Sequence, residues 1–199
     1  MSKDFYSVLK ERRSFYDISP ESKVSDERIA EIIKEAVLCS PSAFNSQSAK
    51  VILLLNEQHK KLWSLTKEAL KEVVSSENWQ QTEDKIASFA NGYGTVLYFD
   101  DAAIVEGLQQ KFQLYSDKFP IWAQQSNGIL QYMIWASLQA EGFGASLQHY
   151  NPLVDHAVKS AWNVPDSWAL TAQMPFGVPI KYPDKKSKLP IEERFAMYS

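Results

Sequence analysis

The 199-residue sequence is poor in the residues on which several common functions depend. Its single cysteine, Cys39, excludes an internal disulfide framework and fits a reducing compartment. Its seven glycines form no Gly-x-Gly-x-x-Gly, Walker or Gly-x-Ser-x-Gly motif, so those nucleotide-binding and hydrolase signatures are missing. The three histidines and Cys39 show no metal-ligand spacing, and we expect no metal site.

Charge and apolar runs set further limits. The net charge of −3 and the pI of about 5.7 argue against nucleic acid as the main partner. No run of about 18 apolar residues occurs, and the start of the chain has no apolar signal core. We therefore expect a soluble, cytoplasmic protein without a membrane partner, and the length favours a single domain over residues 1–199.

Hydrophobic periodicity predicts a mixed α+β chain. Six helices are predicted, over 2–12, from 26 to Pro41, and over 57–74, 79–90, 121–141 and 152–162. Ser25 is the predicted N-cap of the second helix. Residues 101–116 are predicted to be a helix or a lid. Strands are predicted over 50–55, 94–99 and 169–174, with Asp100-Asp101 ending the second of them. Residues 142–147 are predicted to be a turn that leads into a further strand, and the tail from Val178 is predicted to be extended. This irregular order fits a central sheet flanked by helices better than regular βαβ winding.

Two basic stretches lie near opposite ends of the chain. Arg12-Arg13-Ser14 follows the first predicted helix, and Lys186-Ser187-Lys188 lies in the tail. Guanidinium groups present a planar fork of donors that matches a phosphate edge, and a serine hydroxyl can reach the same oxygens. A solvated basic helix end is the ordinary alternative for the first stretch considered alone. Taken together, we interpret both stretches as ligands of one phosphate group.

Two further stretches favour the phosphate interpretation. They are the polar loop Pro41-Ser42-Ala43-Phe44-Asn45-Ser46-Gln47 and the segment Gly142-Phe143-Gly144-Ala145-Ser146-Leu147-Gln148-His149-Tyr150-Asn151-Pro152. With the two basic stretches, and in the same order, they resemble the nitroreductase family of FMN-dependent oxidoreductases. The similarity is greatest to a subgroup around the fungal fatty-acid-repression protein and the bacterial copper-induced nitroreductase. It covers essentially the whole chain.

The resemblance implies an architecture and an activity. The fold would be α+β, with a central mixed or antiparallel sheet flanked by helices and an extended C-terminal tail. Two chains would form an interlocked homodimer with two FMN sites at the subunit interface. NADH or NADPH would give a hydride to flavin N5, and a nitroaromatic, a quinone or a similar flat acceptor would then be reduced. Because the flavin carries this chemistry, no catalytic side chain is expected.

The resemblance also implies which residues bind FMN. Arg12 and Ser14 match phosphate ligands with Arg13 between them, and the tail cations Lys186 and Lys188 reach the same phosphate. The loop that approaches the flavin from the other subunit contributes Pro41, Ser42, Ala43, Asn45 and Gln47. The segment behind the isoalloxazine ring contains Leu147, Gln148, His149 and Tyr150, with the backbone N–H of His149 at flavin N5.

Aromatic residues are expected to line the acceptor pocket. Phe44 and Tyr115 are the candidates, with Phe112 and Trp122 as equal alternatives. Tyr16 stands where many relatives carry Arg or Lys, and Ser48-Ala49 stand where a Trp is often found. Because a nearby cation stabilises the anionic reduced flavin, we predict a lower reduction potential than that of typical relatives.

Two functions of other classes remain open. One is a flavin-binding regulatory or stress-response protein with incidental reductase activity. The other is a hydrolase that uses Ser146 and His149 as a nucleophile–base pair.

Overall fold

The computed structural model describes residues 4–198, which form seven α-helices, five strands and three short 3₁₀ turns. The strands are β1 (Ile18–Ser19), β2 (Ala49–Leu55), β3 (Gly94–Asp101), β4 (Gly144–Ala145) and β5 (Trp168–Pro179). The helices are α1 (Phe5–Glu11), α2 (Asp26–Cys39), α3 (Asn56–Lys71), α4 (Ser76–Ala90), α5 (Ala102–Lys111), α6 (Phe119–Ala140) and α7 (Asp155–Trp162). Residues 2 and 3 of the first predicted helix lie outside the described residues.

The sheet is antiparallel throughout its strand pairs. Its order is β1-β5-β3-β2, and the short β4 also pairs with β5. The central strand β3 is buried on both faces, with Val96 and Tyr98 in one hydrophobic core and Leu97 and Phe99 in the other. This arrangement confirms the predicted α+β class and selects the antiparallel alternative for the sheet.

Helices cover both faces of the sheet. The first core joins one face to α2 and α6, and its helical members include Ile29, Ile33, Leu130, Ile134 and Leu138. The second core joins the other face to α3, α4 and α7, and its helical members include Leu62, Trp63, Phe89 and Val158. The predicted apolar stripe of α2 is therefore the face that it buries, and Ser25 caps this helix by accepting the Arg28 N–H at 3.2 Å.

Several predicted boundaries were wrong because pairing extends beyond the local pattern. Asp100 and Asp101 belong to β3 instead of ending it, since Asp100 still pairs with Ala49 of β2. Asp101 also caps α5 by accepting the Ala103 N–H at 3.2 Å. Strand β5 runs on to Pro179, because β1 and β4 pair with its last residues.

Two other segments differ from their predictions. The strand predicted to follow the turn at Gly142 is short and spans only Gly144–Ala145. The helix predicted from Pro152 begins at Asp155, because residues 151–154 form a turn in which the Val154 N–H donates to the Tyr150 carbonyl at 3.2 Å. From Ile180 to Tyr198 the tail is largely exposed, and its one helical turn is Ile191–Glu193.

Candidate functional site

The end of α1 presents two guanidiniums with different partners. The Arg12 guanidinium carbon lies 4.3 Å from the ring centroid of Trp135 on α6, and within residues 4–198 its N–H groups donate no hydrogen bond. The Arg13 Nη2 donates instead to the Asp184 carbonyl of the tail at 2.6 Å. Arg12 therefore has donors available for an anion, whereas one Arg13 donor already holds the tail.

Ser14 is placed by backbone pairing with β4. It forms a parallel bridge with Ala145, and the next residue, Phe15, donates its N–H to the Ala145 carbonyl at 3.0 Å. A Cβ on Gly144 would lie 2.6 Å from the Phe15 ring, so only glycine permits this approach. Ser14 consequently lies beside the strand that leads into Leu147.

In the segment after β4, alternate backbone N–H groups form hydrogen bonds with β5. The N–H of Ser146 donates to the Pro175 carbonyl at 3.3 Å, and Gln148 exchanges two bonds with Gln173 at 2.7 and 2.9 Å. Successive N–H groups of an extended chain point to opposite sides, so those of Leu147 and His149 point away from β5. Neither donates a hydrogen bond to any of residues 4–198. The segment therefore offers two free backbone donors.

The side chains of this segment do not form a hydrolytic pair. Ser146 is fully buried, and its hydroxyl accepts a hydrogen bond from the Gln148 amide at 3.0 Å. His149 is exposed, and its ring makes no hydrogen bond within the described part of the chain. The predicted hydrolase alternative, which needs Ser146 bonded to His149, is thus wrong.

The tail passes close to the end of α1. Arg13 holds the Asp184 carbonyl, and the rings of Phe15 and Tyr182 lie 5.3 Å apart. Lys186 follows Asp184 by two residues, about 7 Å of extended chain. Lys186 and Lys188 are exposed, and neither forms an ion pair with a carboxylate of residues 4–198. Most of the predicted phosphate ligands are therefore brought into one region.

The loop Pro41–Gln47 has an unusual backbone. Phe44, Asn45 and Gln47 have positive φ angles of 55°, 50° and 51°. A bulky residue such as phenylalanine in this left-handed region costs on the order of 1–3 kcal/mol, and such strain concentrates at binding and active sites. The Ser42 hydroxyl stabilises the loop by accepting the Gln47 N–H at 3.0 Å. The side-chain amides of Asn45 and Gln47, both exposed residues, have no hydrogen-bond partner within residues 4–198.

The strained loop presents Phe44 to an aromatic cluster. Its ring centroid lies 5.0–6.0 Å from those of four other rings: Phe112, Tyr115, Phe119 and Trp122. The closest to parallel is Trp122, at 5.9 Å and 19°. All four aromatic residues considered for the acceptor pocket are members. Phe119 was missed, because its only local signal is the following Pro120 at the start of α6.

A cavity of about 320 Å³ lies beside the same loop. Its polar lining includes Ser42, Gln47, Lys50 and Ser126, and its apolar lining includes Leu130 and Trp168. The Lys50 ammonium donates to the Gln47 carbonyl at 2.9 Å. Behind the loop, the Ser48 hydroxyl donates to Asp100 at 3.4 Å. Burial raises the pKa of Asp100 above its ordinary value, although hydrogen bonds from Asn127 and Ser48 oppose the shift.

The predicted cofactor residues thus form two groups in one chain. The Arg12 guanidinium lies over the Trp135 ring, whereas Phe44 stacks on Trp122 of the same helix. These tryptophans are thirteen residues apart, which is about 20 Å along α6. The Phe44 ring of the loop therefore lies far from Arg12 of the same chain, whereas Ser42 and Gln47 lie beside Ser126 and Leu130 in the middle of α6.

Two further properties of the described residues bear on function. None of the helices in residues 4–198 is both long and apolar enough to span a bilayer. In the same residues, no group of three or more His, Cys, Asp and Glu side chains is placed to hold a metal ion.

Comparison with known proteins identifies the class. The model of the nitroreductase family matches residues 9–178, which is most of the chain. The chain belongs to the nitroreductase family, and it is accordingly a nitroreductase-type oxidoreductase.

Particular relatives agree with this class. The putative nitroreductase HBN1 of Saccharomyces cerevisiae is 30% identical over 185 residues, which cover 92% of each chain. The nitroreductase CinD of Lactococcus lactis, solved in complex with chloramphenicol, is 38% identical with a TM-score of 0.89, over 98% of this chain and all of that one. A CinD complex with 4-nitrophenol matches with a TM-score of 0.88 and the same identity and coverage.

Proposed function

We propose that this protein is an FMN-dependent NAD(P)H oxidoreductase that reduces nitroaromatics, quinones or similar flat acceptors. The observation that carries the proposal is the pairing of Ser14 with Ala145. It joins the predicted phosphate ligands at the end of α1 to the segment Leu147–His149, in which the N–H groups of Leu147 and His149 donate to no acceptor among residues 4–198.

The donors present fit FMN. A phosphomonoester carries roughly −1.5 to −2 charge at neutral pH, so it needs more than one cation. Arg12 and the tail cations Lys186 and Lys188 would supply that charge, and Ser14 would supply a hydroxyl donor. The free N–H of His149 would donate to flavin N5. When bound, FMN supplies the ring that accepts a hydride from NADH or NADPH and passes it to the acceptor.

The remaining ligands would come from a second copy of the chain. The Asn45 and Gln47 amides can both donate and accept, which suits the edge of the flavin pyrimidine. Phe44 of the same loop lies against Trp122, about 20 Å along α6 from the Trp135 that contacts Arg12, which favours a site whose two groups come from different chains. A homodimer in which each loop reaches the partner would form such a site. Gly128 on α6 has open space where a Cβ would be, which permits close approach by a partner.

Exposed apolar side chains favour the same assembly. Those on α2, α6 and the tail include Leu38 at 85%, Ile129 at 45%, Phe195 at 64% and Met197 at 78% exposure. A protein contact on these elements would remove such side chains from water, which is favourable. Light scattering of the purified protein should give the mass of a dimer; a monomer that still binds FMN would contradict the two-chain site.

The acceptor would stack among the aromatic rings around Phe44. Offset aromatic pairs are favourable without requiring a particular substituent, so such a pocket accepts flat rings of several kinds. The relative CinD was solved with chloramphenicol and with 4-nitrophenol, both nitroaromatics. These complexes favour nitroaromatic acceptors for this protein.

The decisive experiment is a visible absorption spectrum of the purified protein, repeated after NADH and then after NADPH. We expect a flavin spectrum that bleaches on addition of one of these donors and recovers on addition of a nitroaromatic or quinone. A protein that is colourless and does not take up added FMN would refute the proposal. Bound flavin that neither donor reduces would favour the regulatory alternative.

A further inference from the structure

We propose that Trp135 is a positioning residue for the phosphate site: its indole ring holds the Arg12 guanidinium in the orientation in which Arg12 binds the FMN phosphate. This inference rests on the proposed function, because FMN is the ligand that it concerns.

The geometry of the pair is that of a cation–π contact. The guanidinium carbon lies 4.3 Å from the indole centroid, well inside the distance at which such contacts are favourable. Tryptophan offers the strongest face for a cation, and the planar guanidinium stacks on aromatic faces better than an ammonium does. Because Trp135 is only 9% exposed, water screens the attraction less than it would at the surface.

The contact with Trp135 leaves donors of Arg12 available. A guanidinium has five N–H donors, so contact with one aromatic ring leaves others that can bind phosphate oxygens. Within residues 4–198 those N–H groups donate to no other acceptor. Arg12 can therefore stay on Trp135 and bind a phosphate at the same time.

Trp135 is itself held rigidly. It lies on α6 between Ile134 and Leu138, both fully buried in the first core. A free arginine loses much rotamer freedom when it binds a ligand, and prior orientation removes most of that cost. The neighbouring Arg13 is fixed differently, through Asp184 of the tail. The two guanidiniums thus depend on separate elements, and a change at Trp135 should affect Arg12 alone.

Burying the indole N–H of Trp135 without a hydrogen-bond partner costs free energy, and the contact with Arg12 offsets that cost. The buried Nε1 atom of this indole has no hydrogen-bond partner among residues 4–198. A phenylalanine would pack in this position without burying an unpaired donor. The larger and more negative indole face over Arg12 compensates for that donor.

The test compares FMN with riboflavin, which lacks the phosphate. The ratio of the riboflavin Kd to the FMN Kd, measured by flavin fluorescence with the full-length protein, isolates the phosphate contribution. Arg12→Ala should reduce this ratio about ten- to hundredfold. Trp135→Met, which fills space without a ring, should reduce it about three- to tenfold with little change in riboflavin affinity. Trp135→Phe, which keeps a ring, should stay within about twofold of the unchanged protein.

A double-mutant cycle distinguishes an effect of Trp135 that acts through Arg12 from a general disruption of the structure. In an Arg12→Ala background, Trp135→Met should lower the ratio no further, because no guanidinium remains to be oriented. An unchanged ratio in Trp135→Met would overturn the proposal. So would an equal loss of FMN and riboflavin affinity, or a loss in Trp135→Phe as large as that in Trp135→Met.

Two provisions keep the test informative. Trp135→Leu replaces Trp135→Met if the latter does not fold. If neither folds, Arg12→Lys keeps the charge but loses the stacked plane, and an unchanged ratio in that variant would overturn the proposal. Absence of any flavin binding by the unchanged protein would refute the proposed function instead, so the two failures are distinguishable.

Discussion

His59 on α3 should make this protein less stable as the pH falls below neutral. The side chain is 1% exposed, and both ring nitrogens have partners: Thr95 Oγ at 2.8 Å and the Ala90 carbonyl at 3.2 Å. A carbonyl can only accept, so Nε2 carries the proton and Nδ1 accepts from the Thr95 hydroxyl. Because Thr95 already accepts the Trp63 indole N–H at 3.0 Å, this arrangement satisfies every group only while His59 is neutral.

The magnitude follows from the change in pKa. Burial lowers the pKa of His59 from 6.5 to about 4. Below pH 6.5 the unfolded chain therefore binds a proton that the folded chain does not, so the stability of the fold decreases with falling pH. Relative to neutral pH, the loss is about 2 kcal/mol at pH 5 and about 3 kcal/mol at pH 4.

The assay is urea unfolding followed by tryptophan fluorescence at pH 7, 6 and 5, at one protein concentration because association would also affect stability. Burial raises the pKa of Asp100 and Asp155, which stabilises the fold as the pH falls and opposes the His59 effect. The informative quantity is therefore the difference between the unchanged protein and His59→Gln, which cannot titrate. His156→Gln, at an exposed position of α7, is the matched control.

We expect the stability advantage of the unchanged protein over His59→Gln to shrink by about 2 kcal/mol between pH 7 and pH 5. The His156→Gln variant should keep the pH dependence of the unchanged protein. Parallel curves for the unchanged protein and His59→Gln would refute the reasoning, since they would mean that folding does not exclude a proton from this ring.

Three further predictions concern the flavin and its acceptor. Arg12→Ala should weaken FMN binding by about 1.5–3 kcal/mol in a fluorescence titration, the scale of a charge-assisted hydrogen bond, and full affinity would show that Arg12 is misassigned. The resemblance places Tyr16 where many relatives carry Arg or Lys, so we expect the midpoint potential of bound FMN, measured spectroelectrochemically, to lie below those of such relatives; an equal or higher value would contradict this. Phe44→Ala should lower kcat/KM for a nitroaromatic about two- to tenfold by loss of ring stacking, with little change for ferricyanide, which does not stack. Equal losses for both acceptors would argue against a stacking role.

Much of the fold could be predicted from local patterns. The stripe of α2, its Ser25 cap and the apolar run of β2 are properties of a few neighbouring residues, and the structure confirms them. The two-residue strand β1 has no such signal, because Ile18 and Ser19 become a strand only through pairing with β5. The late end of β5 has the same cause.

In the candidate site, too, some residues could be predicted from the sequence and others could not. Residue type and order along the chain pointed to Arg12, Ser14, the Pro41–Gln47 loop and Lys186. No pattern in the sequence pointed to Trp135 beneath Arg12, since these residues are 123 positions apart. The strain at Phe44 was equally hidden, because phenylalanine is not a residue that signals a left-handed backbone.

The sequence by itself determined the kinds of elements, the family resemblance and the chemical character of the ligands, because these depend on residue type and short spacing. The tertiary structure alone decided which guanidinium holds the tail and which remains free, which backbone N–H groups are unpaired, and which five rings meet. These depend on the register of pairing between distant segments, where a shift of one residue would turn a free donor into a bonded one.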